Sequence, residues 1–297
     1  MHIKRWQLIQ LASLFISCSL TLFPSCQKKS LAFVQEIDTF ASKNQSYPDI
    51  DVPVEEELPQ EAFPVAGTVS HHLLAGKQID RWFKDLAARR KVKTFFVISP
   101  SHYGLSIYPW SLADCHWLCA DKTKVETDSK KEKLLAATLG VSYEPYVFVP
   151  EHGQSTLMPF IAKYFPKAKV CSIALQGEPP LNQVNAAKLQ EALQPFFTAE
   201  EAKENFLLIS TDFSHHGNIE ETVKKDARSR LFFENPSPQS HVLCSCDNRP
   251  GMYVLAHLLP SMTEKARASI LFHTDSCQLS SGEWEEDITS YFFSYFY

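Results

Sequence analysis

Five short segments of the sequence place histidine or cysteine beside carboxylate or hydroxyl side chains. Imidazole and thiolate groups are donors that suit zinc, copper or iron, whereas magnesium and calcium prefer oxygen. A single loop histidine is more often a capping or hydrogen-bonding residue than a ligand. Several such segments, however, would form one pocket if the fold brought them together. The five segments are residues 70–72, 99–104, 149–153, 210–217 and 244–250.

The elements that must position these segments alternate between strands and helices. Continuous apolar runs predict strands buried on both faces, and apolar residues at helical spacing predict the helices between them. This alternation indicates one α/β domain with a largely parallel, helix-covered sheet, in which ligands bind beyond the carboxyl ends of the strands. Several of the polar segments follow predicted strands directly. The predicted strands are 65–69, 94–98, 170–175, 206–209, 270–273 and 288–297, and the predicted helices are 78–89, 155–165, 181–197 and 251–259.

The N-terminus has the features of an export signal. Lys4 and Arg5 precede an apolar stretch over residues 8–23, which is short for a membrane span of about 20 residues. The segment that follows resembles a bacterial lipoprotein cleavage site, with Cys26 as the lipidated residue and Cys18 as a competing position. We therefore predict a leader over residues 1–25, and an ordinary signal peptide or an uncleaved anchor are the alternatives.

Composition separates two further regions. Residues 26–62 are polar, acidic and rich in proline, which predicts a tether, and residues 63–297 form the predicted globular domain. The formal net charge of -5 argues against a nucleic-acid partner. Gly is scarce, with 9 residues and no GxGxxG or GxxxxGK[ST] pattern, so a glycine-rich phosphate loop is not expected. Cys115 and Cys119 are expected to be buried structural residues.

Taken together, the histidine and cysteine segments resemble the Memo-like family, whose bacterial members are called AmmeMemoRadiSam system protein B. The resemblance runs from about residue 65 to the C-terminus, and its strength lies in five short motifs in the family order. Ser70 stands where the family usually has proline, and Gly153 and Asp247 are also atypical. The motifs are Ser70-His71, Ser99-Pro100-Ser101-His102, Glu151-His152-Gly153, Ser210-Thr211-Asp212-Phe213-Ser214-His215 and Cys246-Asp247-Asn248-Arg249-Pro250.

The resemblance implies a fold similar to that of class III extradiol dioxygenases. It also implies a cleft in which two histidines and one cysteine bind a redox metal, iron or copper. By position, these ligands are His71, His102 and Cys246. A thiolate in place of the dioxygenase carboxylate argues against ordinary ring cleavage of catechols.

The resemblance also assigns supporting roles around that metal. His215 matches the catalytic base of the dioxygenases, Asp212 lines the same cleft, and Glu151 and His152 support it. The function implied is a metal-dependent oxidoreductase acting on an unknown small molecule or peptide. The alternative is a non-catalytic metal-binding or peptide-binding surface lipoprotein. Either protein would be exported, and would be periplasmic or held to a membrane through its N-terminal lipid.

Overall fold

The structure is a computed structural model that describes residues 34–39, 47–176, 183–282 and 285–297. The predicted leader, with Cys18 and Cys26, lies outside the described residues. Eleven strands are found in the described part of the chain: β1 (Gln35–Asp38), β2 (Ala66–Val69), β3 (Thr94–Pro100), β4 (Trp110–Leu112), β5 (Cys115–Leu118), β6 (Lys124–Glu126), β7 (Lys169–Leu175), β8 (Asn205–Ser210), β9 (Phe213–Gly217), β10 (Ala268–Asp275) and β11 (Ile288–Phe296).

Nine α-helices connect or follow these strands within the described ranges. Among these residues, no helix has both the length and the apolar character needed to cross a bilayer. The helices are α1 (Gly76–Arg89), α2 (Ser129–Leu139), α3 (Pro145–Phe148), α4 (His152–Ser155), α5 (Met158–Tyr164), α6 (Gln183–Leu193), α7 (Ile219–Glu234), α8 (Arg249–Met262) and α9 (Ser276–Leu279), and short 3-10 helices cover Leu73–Ala75, Gln194–Phe196, Glu201–Lys203 and Ser240–Leu243.

The main sheet is mixed. Its strand order is β10-β11-β2-β8-β3-β7-β4, with β9 paired to β11. The four central strands β2, β8, β3 and β7 are parallel to one another. Strands β4, β9, β10 and β11 pair antiparallel at its two sides. The α/β class is confirmed. The sequence predicted a largely parallel sheet, and the parallel arrangement is found in the four central strands.

Strand β3 shows why the centre of the sheet is apolar throughout. Phe95 and Val97 belong to one hydrophobic core, and Phe96 and Ile98 belong to the other. Because successive side chains of a strand point to opposite faces, the two cores lie on opposite faces of the sheet. Helices α1 and α5 contribute side chains to the first core, and α6 and α8 contribute to the second. A helix-covered sheet is thereby confirmed.

A second, smaller sheet joins β1, β5 and β6. Strand β1 comes from the segment that composition predicts to be a tether, and it runs parallel to β5. Ile37, Val52 and Leu58 from the same segment are buried in the first core. Cys115 and Cys119 are buried, as expected, and both are free thiols.

Candidate metal centre

The candidate site lies where the parallel strands β2, β3 and β8 end. His71 follows β2, His102 follows β3, and Asp212 follows β8. Since these strands are parallel, their carboxyl ends meet at one edge of the sheet. The pocket predicted from the sequence therefore has a structural basis at this edge.

Asp247 is at the centre of the cluster. Its Oδ2 atom lies 3.2 Å from His71 Nε2, 3.7 Å from His102 Nε2 and 3.7 Å from His215 Nε2. Its other oxygen, Oδ1, accepts hydrogen bonds from the Thr211 hydroxyl at 2.8 Å and the Asp212 amide at 3.0 Å. One oxygen is thus fixed by the protein, and the other is presented to the histidines.

One hydrogen bond holds the His71 ring, and a second holds its partner, the Ser210 hydroxyl. The Ser210 hydroxyl donates to the Gly153 carbonyl at 2.5 Å, so its oxygen accepts from His71 Nδ1 at 3.0 Å. With Nδ1 held by Ser210, Nε2 is the atom that faces Asp247; burial opposes the charged form of His71, but Asp212 and Asp247 outweigh it and raise its pKa, so a metal would displace a proton from Nε2. His71 is 3% exposed, which keeps this arrangement away from competing water.

Glu151 fixes His102 in the same way. Its Oε1 atom lies 2.6 Å from His102 Nδ1, and its Oε2 atom accepts from the His102 amide at 2.8 Å. The Glu151 carboxylate also accepts from the Gly153 amide at 2.9 Å, where it caps α4. A side chain at residue 153 would place its Cβ 3.0 Å from Ser99 Cβ, so this crowded position favours glycine. The carboxylate thus directs His102 Nε2 toward the cluster.

Two sets of side chains place their donor atoms close enough to share a metal ion. In each set the atoms lie within 4.8 Å of one another; the first set is His71, His102 and His152, and the second is His71, Asp212 and Asp247. His152 stacks on His102 with ring centroids 4.1 Å apart. Metal–donor bonds of about 2.1 Å place neighbouring donors roughly 3 Å apart, so the Asp247–His71 distance suits a shared ion.

Three buried polar atoms at the site have no hydrogen-bond partner within the described part of the chain. They are Asp212 Oδ1, His215 Nε2 and Asp247 Oδ2. Buried polar atoms are usually satisfied, and exceptions often mark a functional site or an absent ion. Their convergence fits a metal or a substrate group at this position.

The charges of the cluster are strongly coupled. Burial opposes the charged form of His102, but Asp247 and Glu151 outweigh it and raise the pKa of His102 to about 10. Burial would also raise the pKa of Asp247, but the surrounding histidines hold it well below its usual range. For His152, burial and the neighbouring His71 and His102 act together and lower the pKa to about 4. His152 is therefore neutral, as a metal ligand must be.

Cys246 is not in either of these metal-capable sets among the described residues. Residues 245–247 pair with 212–214 as an extended segment, through Ser214 N to Ser245 O and Asp247 N to Asp212 O. Asp247 faces the histidines, and Cys246 is half-buried, packs against the second core and lines the same cavity as His102 and His215. Burial and Asp247 raise the pKa of its thiol to about 12. Its role as a ligand stays a prediction.

The sequence reasoning missed Asp247 and Thr211 as functional residues. Asp247 was visible as an atypical residue beside the family cysteine, and its carboxylate is a hard donor in a histidine-rich motif. Thr211 had no signal of its own, because its role depends on a contact with a residue 36 positions later.

Fold and site together define an α/β domain with a candidate metal centre at the ends of its parallel strands. Residues 54–283 match the family model described as Memo-like protein, and the chain belongs to this family. A MEMO1 family protein of Pyrobaculum arsenaticum is 25% identical over 197 residues, covering 63% of this chain and 68% of that relative. A MEMO1 family protein of Caldivirga maquilingensis is 24% identical over 173 residues, covering 58% and 56%.

Proposed function

We propose that this protein binds a redox metal, iron or copper, and acts as a metal-dependent oxidoreductase. The observation that carries the proposal is the convergence of His71 Nε2 and His102 Nε2 on Asp247 Oδ2, at 3.2 and 3.7 Å. Both rings have their Nδ1 atoms occupied by hydrogen bonds, so both offer Nε2 as a donor. His71 belongs to both metal-capable sets, His102 to the first and Asp247 to the second. Two histidines and one carboxylate drawn from these sets would suit non-haem iron.

The third donor has two candidates. Geometry favours the Asp247 carboxylate, and the family resemblance implies the Cys246 thiolate. A carboxylate would make the site similar to that of the class III extradiol dioxygenases, whose fold we propose for this domain, whereas a thiolate would favour copper. The contact of Asp247 Oδ2 with His71 Nε2 at 3.2 Å supports the carboxylate.

An iron or copper ion held by these residues would supply one-electron chemistry at the end of the cleft. His215 is placed to move protons, because its buried Nε2 atom lies 3.7 Å from Asp247 Oδ2 and the residue lines the cavity. Asp212 lies against His71 at 3.7 Å and stabilises positive charge there. Glu151 and His152 orient and pack His102.

Metal analysis of the purified protein tests the proposal. His71→Ala and His102→Ala should each lose iron and copper, whereas His257→Ala, a half-buried histidine stacked on Tyr253, should retain the wild-type content. Unchanged metal in the first two variants would exclude this site. Asp247→Asn and Cys246→Ser decide the third donor, since only the true ligand should be needed for tight binding.

A second measurement separates catalysis from metal binding. Oxygen uptake with reductants and phenolic substrates should be present in the loaded wild type and strongly reduced in His215→Ala at unchanged metal content. A loaded protein that consumes no oxygen with any of them would favour the alternative function, a non-catalytic metal-binding or peptide-binding lipoprotein.

A further inference from the structure

A large cavity opens directly beside the candidate metal centre. Its volume is about 860 Å³, within the range of small-molecule sites. His102, His215 and Asp247 line one part of it. A molecule in this cavity would therefore contact the residues proposed to bind metal and move protons.

Three basic side chains, Lys225, Arg228 and Arg249, line another part of the same cavity. Lys225 and Arg228 are three residues apart on α7, so they lie on one face of that helix. Arg249 is the first residue of α8. Both arginines also act electrostatically on the Cys244 thiol, which places their charges around the same part of the wall.

Among the described residues, none of these three side chains forms an ion pair with a carboxylate within 4.0 Å. Lys225 Nζ donates to the His215 carbonyl at 2.9 Å, and Arg228 donates to the Val242 carbonyl at 3.3 Å. Both acceptors are neutral. Asp247 contributes the only carboxylate to the described lining, and its Oδ2 atom faces the histidines. In a chain with a formal net charge of -5, three cations in one cavity are a local departure from the average.

We propose that the cavity binds a small organic anion, through a carboxylate or phosphate group held by Lys225, Arg228 and Arg249. Arginine and lysine bind such oxyanions through charge-assisted hydrogen bonds. The rest of the molecule would extend toward His102 and His215, so the cations set both the substrate class and its orientation. The binding of the anion is inferred from the cavity alone. Any reaction of the bound anion rests on the proposed function.

Titration with inorganic phosphate and with succinate tests this proposal. Calorimetry and NMR shifts should report binding to the wild type with and without metal, and a preference between the probes identifies the anionic group. Arg249→Gln and the double variant Lys225→Gln/Arg228→Gln should each weaken binding by about tenfold or more. Lys224→Gln is the matched control, since Lys224 lies on the same helix but pairs with Glu220 at 2.6 Å. It should bind like the wild type.

Metal content is measured on every variant, so that the two proposals fail separately. The basic-residue variants should retain metal, and His71→Ala should retain anion binding. Binding of neither probe, or equal binding by all variants, would overturn the anion site. Anion binding that requires the metal and is unchanged in Arg249→Gln would also overturn the anion site, because the anion would then be a metal ligand only. Wild-type protein that binds the anion but neither iron nor copper would overturn the proposed function instead.

Discussion

At the scale of single residues, Glu151 would determine how His102 presents Nε2 to a metal in the proposed centre. Its buried carboxylate contacts the His102 ring, the His102 amide and the Gly153 amide at once. A carboxylate behind a ligating histidine fixes the tautomer and increases the electron density on the ligating nitrogen. Glu151→Gln should therefore weaken metal binding by about 10- to 100-fold, measured by chelator competition.

Glu144→Gln is the control for this change. Glu144 is also buried and accepts several hydrogen bonds, including those of Ser106 at 2.7 Å and Ile107 N at 3.0 Å. Its hydrogen-bond partners among the described residues lie outside the histidine cluster, so its variant tests whether any buried glutamate affects the metal indirectly. Equal loss of affinity in both variants would contradict a specific role for Glu151.

The charge state of His102 leads to a prediction about pH. With a pKa of about 10, His102 is protonated at neutral pH in the metal-free protein, and a metal must displace this proton. Apparent affinity should therefore rise with pH, by up to about tenfold per unit between pH 6 and 8. Glu151→Gln should flatten this slope, because it removes one of the charges that raise the pKa of His102. A dissociation constant independent of pH would contradict the assignment.

Residue types and family motifs predicted the histidines of the candidate site. They could not predict that Asp247, the residue after Cys246, places its carboxylate against them. That placement depends on the pairing of residues 245–247 with 212–214, which a local pattern does not encode. A displacement by one residue in an extended segment exchanges the two faces. The sequence therefore identified this segment as part of the candidate site, but not the side chain that geometry favours.

At the scale of elements, helix α7 shows where sequence patterns fail. It was not predicted, because its buried positions include Thr222, Asp226 and Ser229 in place of an apolar stripe. Helical periodicity is read from apolar residues, and here polar side chains are buried instead. By contrast β3 and β8, which contain continuous apolar runs, were predicted almost to their ends. Strand β11 was predicted as a strand, but its position beside β2 depends on contacts more than 200 residues apart.

Asp226 explains why α7 tolerates this polar face. Its carboxylate accepts from Ser214 Oγ and Ser290 Oγ at 2.6 Å each, and it lies 2.9 Å from His273 Nε2. It thereby joins α7 to β9, β10 and β11, and β9 carries His215. Buried polar groups left without a partner are strongly destabilising.

Asp226→Ala should lower the free energy of unfolding by about 3 kcal/mol, measured by urea denaturation. It should also reduce oxygen uptake, because β9 loses an anchor near His215. Glu220→Ala on the same helix removes only an exposed pair and should change stability by less than about 0.5 kcal/mol. Similar effects of the two substitutions would show that Asp226 is not a structural junction.

At the scale of the whole molecule, the packed region and the family match extend beyond the domain predicted from composition. The match begins at residue 54, and buried side chains from the acidic segment occur at Val52 and Leu58. Composition identified this segment as polar and rich in proline, but a few apolar residues are enough to dock an arm along a domain. Gln78 Nε2 and Arg81 reinforce the contact through the Ile50 and Val52 carbonyls.

The place of the whole protein in the cell depends on its first 26 residues, which lie outside the described part of the chain. A basic start, a short apolar stretch and Cys26 predict lipid attachment after export. Labelling with a lipid precursor should modify the wild type and Cys18→Ala, and Cys26→Ala should abolish the label. Labelling lost in Cys18→Ala instead would move the cleavage site, and no labelling at all would favour a signal peptide or an uncleaved anchor. An exported metal centre would meet an oxidising environment, in which a carboxylate ligand such as Asp247 resists oxidation and a thiolate ligand at Cys246 does not. The lipid experiment and the comparison of Asp247→Asn with Cys246→Ser therefore both bear on the identity of the third ligand. Export would favour Asp247, the ligand that geometry supports.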